Sequence, residues 1–313
     1  MTVHQTHTTD ATSRRNFLRN SVVAAAAAGT GLLAGNSTAA AADKITRNGK
    51  PYMKLSLAAY SYREYLMGAK APMTLEDFIK LCADLNLDGC ELTSYYFPKD
   101  FKDDYLLRIK ELTFRLGLDI SGTAIANDFC LVPGPAREET LAHTKKWIDN
   151  AALMGAPVIR IFAGKAAPGS DQDTALELCI AGINECLVYA AEKGVFLALE
   201  NHGGITATPE MLLKIVQGVK PSPWFGVNFD SGNFETEDPY SDLAKIAPYA
   251  VNAQVKVEIK RKPETKADLA RLVKILQDAN YRGYLVLEYE SKTEDAKTGV
   301  PKYVEELRKV IAG

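Results

Sequence analysis

The chain has 313 residues, of which 37 are lysine or arginine and 39 are aspartate or glutamate, so that its formal net charge at pH 7 is −2. Its basic residues are nowhere clustered densely enough to follow a phosphate backbone, which excludes nucleic acid as an expected partner. Five cysteines, an odd number without close-pair spacing, indicate buried free thiols rather than a disulfide framework or a zinc motif: Cys82, Cys90, Cys130, Cys179 and Cys186.

The first forty or so residues have the features of an export signal. A twin-arginine pair lies in Ser13–Arg19, and it is followed by the apolar run Val22–Ala34 and the small-residue stretch Thr38–Ala42. The apolar run is too short for a permanent membrane helix, and no cysteine follows it that would carry a lipid anchor. We therefore predict a twin-arginine signal over residues 1–42, export to the periplasm or beyond, and no stable membrane anchor.

Residues 43–313 have the length of one large α/β domain or of two ordinary domains. The predicted signal contains three arginines and one aspartate, so its removal changes the formal charge from −2 to about −4. No linker rich in proline, serine or glycine divides the segment, which favours a single domain. The sequence is also compatible with a homo-oligomer.

Strand patterns alternate with helical patterns along this whole segment. Thr74–Asp77 resembles a capping box, and Thr208 followed by Pro209 marks another helix start. The predicted strands are Lys54–Ser61, Gly89–Ser94, Asp119–Ile125, Pro157–Gly164, Phe196–Glu200, Trp224–Asp230, Ala253–Ile259 and Tyr284–Glu290. The predicted helices are Leu75–Leu85, Tyr105–Leu116, Arg137–Met154, Asp173–Lys193, Pro209–Gly218, Tyr240–Ile246, Lys266–Ala279 and Pro301–Ile311.

Eight strand–helix units of about 30 residues predict a (β/α)8 TIM barrel in residues 43–313. The rival architecture is a doubly wound open sheet. Such a sheet normally carries a glycine-rich phosphate turn after an early strand, and the sequence has none. The barrel is therefore the predicted fold, with its functional residues at the carboxyl ends of the strands.

The last four predicted strands each carry an oxygen ligand near the carboxyl end, namely Glu200, Asp230, Gln254 and Glu288. Placed on the inward face, they bring three carboxylates and one amide oxygen together at one mouth. Two carboxylates about 4 Å apart repel by about 4 kcal/mol at an effective dielectric constant of 20, and a divalent cation would relieve that repulsion. An all-oxygen set favours Mg²⁺ or Mn²⁺ over Zn²⁺.

Pairing with basic side chains of the barrel is the alternative way to relieve the same repulsion. Arg160 and Lys256 are available for it. Two further polar residues stand near strand ends, Glu91 on the second strand and His202 just after the fifth. Each is a candidate for substrate contact or for a purely structural hydrogen bond or ion pair.

This arrangement of Glu on strand five, Asp on strand six, a Gln-Val-Lys element on strand seven and Glu on strand eight resembles the xylose isomerase-like TIM-barrel superfamily. The resemblance extends from about Leu55 to Ile311. Members of the superfamily include sugar phosphate isomerases and epimerases, inosose dehydratases and AP endonuclease family 2 barrels. In its ketose 3-epimerases, Glu, Asp, His and Glu from these four strands hold a divalent metal.

The resemblance implies that Glu200, Asp230, position 254 and Glu288 are the metal ligands, and that Glu200 and Glu288 are the acid/base pair. The sequence departs from the pattern at Gln254, where the family has His. It departs again at Asn233, where several relatives have His. These departures concern the affinity and identity of the metal rather than its location.

The resemblance also implies the activity of an exported, metal-dependent isomerase or epimerase that moves a proton through an enediolate of a keto-sugar or related polyol. The same site would serve a lyase or dehydratase of a keto-sugar or keto-glycoside, and a non-catalytic carbohydrate-binding barrel is the alternative from another class. An endonuclease with a histidine-rich zinc cluster is disfavoured, because residues 43–313 contain only His143 and His202. The predicted substrate-binding residues are Glu91, Arg160, His202, Asn233 and Lys256.

Overall fold

The computed structural model describes residues 44–68, 71–260 and 265–313. The signal predicted over residues 1–42 lies outside the described residues, and it stays a prediction. The described residues cluster into a single unit.

Eight parallel strands close into a barrel, in the order β1, β2, β3, β4, β5, β6, β7 and β10 around the ring. The ring closes where β10 pairs with β1, with Leu285 opposite Leu55. This confirms the predicted (β/α)8 TIM barrel. In chain order, the strands of the described residues are β1 (Tyr52–Ala58), β2 (Gly89–Thr93), β3 (Asp119–Ala124), β4 (Val158–Ile161), β5 (Phe196–Glu200), β6 (Phe225–Asp230), β7 (Ala250–Val255), β8 (Glu258–Ile259), β9 (Thr265–Lys266) and β10 (Arg282–Leu287).

Helices cover the outer face of the strands, because short parallel strands must be buried on both faces. Polar caps fix where they begin: the Thr74 side chain accepts from the backbone N–H of Asp77 in a capping box, and Thr208 accepts from the N–H of Met211. Both predicted caps are confirmed. The α-helices of the described residues are α1 (Arg63–Leu66), α2 (Leu75–Asp84), α3 (Asp103–Arg115), α4 (Pro135–Met154), α5 (Gln172–Lys193), α6 (Pro209–Gly218), α7 (Pro239–Ile246), α8 (Leu269–Asp278) and α9 (Ala296–Ala312).

Several predicted boundaries differ from the observed ones, and two of the differences have a clear structural cause. The last helix begins at Ala296 rather than at Pro301, because the Asp295 side chain caps it by accepting from the N–H of Lys297, and Pro301 lies inside the helix. The apolar run predicted as one strand over Ala253–Ile259 is divided. Strand β7 ends at Val255, and β8 then turns away to pair with β9 in a small antiparallel sheet.

The apolar side chains of the long helices pack into the core. All five cysteines of the sequence are buried free thiols, as predicted. Among the described residues, one helix (α5) is long and apolar enough to cross a membrane by length and composition. Its buried side chains include Cys179, Ile183 and Leu187, which belong to the barrel core.

Candidate active site

Glu200 and Asp230 are the last residues of the neighbouring strands β5 and β6. The side chain of Asn201 joins these two strand ends, because its Nδ2 donates to the carbonyl of Asp230 and its Oδ1 accepts from the N–H of Asp230, both at 2.9 Å. These bonds extend the pairing beyond the last register pair, Glu200 opposite Asn228. The predicted meeting of the two carboxylates at one mouth therefore has a structural cause that the sequence prediction missed.

Glu200 forms a buried ion pair with Arg160 of β4. Arg160 Nε lies 2.8 Å from Glu200 Oε2, and the two side chains are 7% and 2% exposed. The contact is a charge pair rather than a well-aligned hydrogen bond, since Nε has no hydrogen-bond partner of good geometry. Glu200 Oε1 accepts a hydrogen bond from Asn233 Nδ2 at 2.9 Å. Burial raises the pKa of Glu200, and the positive charge of Arg160 opposes that shift.

Lys256, which follows β7 directly, extends its ammonium among three carboxyl groups. Its Nζ lies 2.9 Å from Glu290 Oε1, 3.2 Å from Asp230 Oδ2 and 4.0 Å from Glu288 Oε1. Only the contact with Glu290 is also a hydrogen bond, and Asp230 Oδ2 is a buried oxygen without a hydrogen-bond partner among the described residues. The structure thus brings Asp230, Glu288 and Lys256 together, as predicted, and adds Glu290, which the sequence prediction did not assign.

The three carboxyl groups around Lys256 differ in proton affinity. Burial raises the pKa of Asp230 to about 6, although Lys256 opposes the shift. Burial also raises the pKa of Glu288 well above its ordinary range. Burial acts on Glu290 in the same direction, but Lys256 and a hydrogen bond with Glu288 outweigh it and lower the pKa of Glu290. Burial therefore favours the protonated form of Glu288, whereas Lys256 favours the ionised form of Glu290.

Gln254 does not join this cluster. Its Nε2 donates to Glu91 Oε1 at 2.6 Å, and its Oε1 accepts from Asn228 Nδ2 at 2.6 Å. Asn252 completes the network by donating to Glu91 Oε2 at 3.1 Å. Both ends of the Gln254 amide and both oxygens of Glu91 are engaged in this buried network. The Gln254 amide is therefore engaged by Glu91 and Asn228, although Gln254 pairs with Asp230 in the register of β6 and β7.

The remaining predicted residues lie around the mouth. The His202 ring is exposed and stacks on Phe162 with centroids 4.2 Å apart, and the guanidinium of Arg160 lies over the same Phe162 ring at 3.9 Å. Asn233 is buried and links Glu200 to Lys260, whose Nζ donates to Asn233 Oδ1 at 2.8 Å. The sequence prediction missed Lys260 because it lies in an irregular segment after β8.

The donor set predicted for a divalent cation does not fit one in this arrangement. Within residues 44–68, 71–260 and 265–313, no group of three or more His, Cys, Asp or Glu residues is arranged to hold a metal ion. The Gln254 oxygen is already bonded to Asn228, and Glu200 already faces Arg160. Asp230 Oδ2 has no hydrogen-bond partner among the described residues and would supply one ligand, whereas Mg²⁺ requires about six.

The charges around the carboxylates also disfavour a divalent cation at this position. Lys256 and Arg160 already place two positive charges beside the carboxyl groups of Glu200, Asp230, Glu288 and Glu290. A divalent cation about 4 Å from the Lys256 ammonium would be repelled by about 8 kcal/mol, which is twice the value for two unit charges at an effective dielectric constant of 20. The predicted metal set Glu200, Asp230, Gln254 and Glu288 is therefore not assembled as a metal site in the described structure.

Two cavities differ in their relation to these residues. A cavity of about 680 Å³ opens among the amino ends of the strands, where Val158, Phe225 and Tyr284 line it. It contacts none of the predicted site residues. A smaller cavity of about 80 Å³ is lined by Lys256, Lys260 and Glu290 at the opposite mouth. We assign the candidate site to the smaller cavity, because barrel enzymes carry their chemistry at the carboxyl ends of the strands.

Fold and site together define a (β/α)8 barrel with a buried cluster of charged residues at its carboxyl mouth. The model of the xylose isomerase-like TIM-barrel family matches residues 79–310, so the chain belongs to that family. No curated protein sequence matches the chain.

Solved structures share the fold at low sequence identity. A 3-keto-D-glucoside 4-epimerase from E. coli is 16% identical with a TM-score of 0.66, over 82% of this chain and 99% of that one. A D-psicose 3-epimerase, crystallised in the presence of D-fructose, is 20% identical with a TM-score of 0.66, over 83% and 97%. A xylose isomerase domain protein from Planctomyces limnophilus is 18% identical with a TM-score of 0.64, over 84% and 99%. At these identities the likeness shows the fold.

Proposed function

We propose that this chain is an isomerase or epimerase that moves a proton through an enediolate of a keto-sugar or related polyol. One observation carries the proposal: Glu200 and Glu288 are both buried at the same mouth, and each lies beside a fixed cation, Arg160 for Glu200 and Lys256 for Glu288. Burial raises the pKa of both carboxyl groups, and the positive charge of Arg160 opposes that shift in Glu200. Two buried carboxyl groups at one mouth, each beside its own cation, can serve as the acid and the base of general acid–base catalysis.

The proposed reaction uses one carboxyl group in each direction. The Glu200 carboxylate accepts the proton from the carbon that bears a hydroxyl group beside the carbonyl, and the electron pair moves onto the carbonyl oxygen. Glu288 then donates its proton to the enediolate. Protonation of the same carbon on its opposite face re-forms the carbonyl and gives an epimer. Protonation of the former carbonyl carbon, with the hydroxyl proton moving to the former carbonyl oxygen, gives an isomer. Exchange with water restores the two starting protonation states.

The family and the similar structures support the choice of substrate class. Two of the similar structures carry the names of epimerases that act on keto-sugars, a 3-keto-D-glucoside 4-epimerase and a D-psicose 3-epimerase. The charged mouth, with Lys256, Lys260 and Glu290 around its cavity, suits a polyhydroxylated ligand that both donates and accepts hydrogen bonds. Loss of a leaving group from the same enediolate would instead make the chain a lyase or dehydratase, and product analysis distinguishes these outcomes.

The test is proton exchange on keto-sugars in D₂O, followed by NMR with the purified protein. We expect deuterium to enter the carbon beside the carbonyl of at least one ketose or 3-keto-glycoside. Glu200→Gln and Glu288→Gln are each expected to lower the exchange rate by about 10²–10⁴-fold. Glu185→Gln is the matched control, since Glu185 lies on the helical surface in an exposed pair with Lys145.

Full exchange in both site variants would refute the acid–base assignment. Saturable sugar binding without exchange on any substrate would instead favour the carbohydrate-binding barrel.

We also propose that the protein is exported by the twin-arginine route. The support is the order of the arginine pair, the apolar run and the small-residue stretch within residues 1–42. Mass spectrometry of the protein from the periplasmic fraction is expected to show a new amino terminus after Ala42. Replacement of Arg14 and Arg15 by lysine is expected to retain the protein in the cytoplasm, and unchanged export of that variant would contradict the proposal.

A further inference from the structure

The ammonium of Lys256 lies among carboxyl groups that include Asp230 and Glu288, two of the residues that the sequence predicts to hold a cation. It is 2.9 Å from Glu290 Oε1, 3.2 Å from Asp230 Oδ2 and 4.0 Å from Glu288 Oε1. The side chain is only 6% exposed, so this positive charge is an internal part of the barrel mouth. Three carboxyl groups of two strand ends thus face one built-in cation.

The position of Lys256 is held by the backbone around it. Its own N–H donates to Ser231 Oγ at 2.8 Å, and Ser231 N–H donates to the carbonyl of Gln254 at 3.0 Å. Gly232 packs against the stem, because a Cβ on this glycine would lie 2.7 Å from Lys256 Cδ. The ammonium is therefore directed to the carboxylates by the chain itself.

The residue that would complete a metal site is committed elsewhere. Gln254 hydrogen bonds Glu91 and Asn228 with both ends of its amide. Glu200 has its own fixed cation in Arg160. The amide of Gln254 is thus engaged by Glu91 and Asn228 instead of a metal, and the ammonium of Lys256 lies beside the carboxylates of Asp230 and Glu290.

We infer that Lys256 replaces the divalent cation in this chain, so that the site works with an internal ammonium instead of a bound metal. An ammonium has three N–H donors, and Lys256 uses one of them in its hydrogen bond to Glu290 among the described residues. One of the other two faces Asp230 Oδ2 at 3.2 Å, and the ammonium also lines the cavity, where it can donate to the oxygen that gains negative charge as the enediolate forms. The same charge repels Mn²⁺ and Mg²⁺ from the carboxylates.

The catalytic part of this inference rests on the proposed function, but its first test does not need a substrate. Calorimetric titration of the purified, metal-stripped protein with Mn²⁺ is expected to show no stoichiometric binding at the barrel mouth. Lys256→Met is expected to bind Mn²⁺ at least about tenfold more tightly than the wild type, because a positive charge about 4 Å from the ion has been removed. Lys256→Arg, which keeps the charge, is expected to behave like the wild type.

Lys145→Met is the matched control, since it removes a lysine from an exposed pair with Glu185 far from the mouth. Circular dichroism of each variant establishes that it is folded, and if Lys256→Met is not, the wild-type titration decides alone. One equivalent of Mn²⁺ bound by the wild type and lost in Asp230→Asn would overturn the inference.

Proton exchange then separates this inference from the proposed function. Exchange that persists in EDTA supports both. Exchange that appears only with Mn²⁺ overturns the internal cation while the function stands. Exchange on no keto-sugar with or without Mn²⁺ refutes the function, and the titration still decides whether Lys256 excludes the metal.

Discussion

Arg160 and Glu200 form an ion pair between neighbouring strands, with Nε of the guanidinium 2.8 Å from Oε2 of the carboxylate. The register places Arg160 opposite Ala198, two residues before Glu200 on the same face of β5. The guanidinium also donates to the carbonyl of Ile125 at 2.7 Å and lies over the ring of Phe162. Arg160 is thus anchored independently of Glu200, and it can fix the orientation of the carboxylate.

Arg160→Met is expected to lower the free energy of unfolding by about 3–5 kcal/mol, because it leaves the Glu200 carboxylate buried without its partner. The double variant Arg160→Met/Glu200→Gln is expected to recover part of that loss, since the uncompensated charge is then gone. Urea denaturation measures both. Lys145→Met, which breaks a pair whose side chains are 38% and 49% exposed, should cost less than about 1 kcal/mol. Equal losses for Arg160→Met and Lys145→Met would contradict the argument.

The network of Glu91, Gln254, Asn228 and Asn252 leads to a second prediction. Glu91 accepts from two amide N–H donors, so Glu91→Gln would turn an NH₂ group toward one of them. We expect a loss of about 1–3 kcal/mol in the free energy of unfolding. KM for the keto-sugar substrate should change little. A raised KM with unchanged stability would instead show that Glu91 contacts the substrate, as the sequence predicts.

The fold could be predicted from the sequence because its signals are local. The Thr74 cap depends on residues adjacent in the chain, and so does the apolar run that ends at Glu200. The path of a long polar side chain is not a local property. Gln254 follows the strand period that predicts an inward position, and it does lie inside the barrel, but its amide bonds Glu91, 163 residues earlier. Nothing near position 254 signals that partner.

The partners of Lys256 likewise could not be predicted from the residues near it in the sequence. The sequence places it one period after Gln254 and leaves open whether it or a metal neutralises the carboxylates. The answer depends on where β7 ends. The strand stops at Val255 and the chain continues into β8, and the Lys256 ammonium lies beside the carboxyl groups of Asp230 and Glu290.

The capping box at the start of α2 yields a prediction about pH. The hydrogen bond from the Thr74 hydroxyl, followed by that from the Thr74 N–H, lowers the pKa of Asp77 from its ordinary value of 3.8. A carboxyl group with a lowered pKa in the folded state stabilises the protein above its unfolded pKa, and this stabilisation is lost as the pH falls through the folded value. Thr74→Ala should therefore cost about 1 kcal/mol at neutral pH in urea denaturation.

The Thr74→Ala deficit should shrink as the pH falls below 3.8. Asp77→Asn serves as the control, because it removes the titrating group and should make the Thr74→Ala deficit independent of pH. A deficit that grows on acidification would contradict the assignment of the shift to this capping box.

Gly232 lies between Asp230 and the stem of Lys256. A Cβ at this position would be 2.7 Å from Lys256 Cδ and 2.9 Å from the carbonyl oxygen of Glu258, and the second of these is backbone that cannot rotate away. The N–H of Gly232 also donates to Asp230 Oδ1 at 2.8 Å. The glycine therefore sets how closely the lysine approaches its carboxylates.

Gly232→Ala is expected to destabilise the fold by about 1–3 kcal/mol, because the added methyl group overpacks a rigid contact. It should also push the Lys256 stem away from Asp230. The rate of proton exchange on the keto-sugar should therefore fall even under conditions in which the variant is fully folded. Thermal melting and the D₂O exchange assay measure the two effects. Gly218→Ala is the matched control, since its Cβ would meet only the flexible end of Ile180 on the outside of the barrel, and it should leave exchange unchanged. Wild-type exchange in Gly232→Ala would show that catalysis does not depend on the close approach of Lys256.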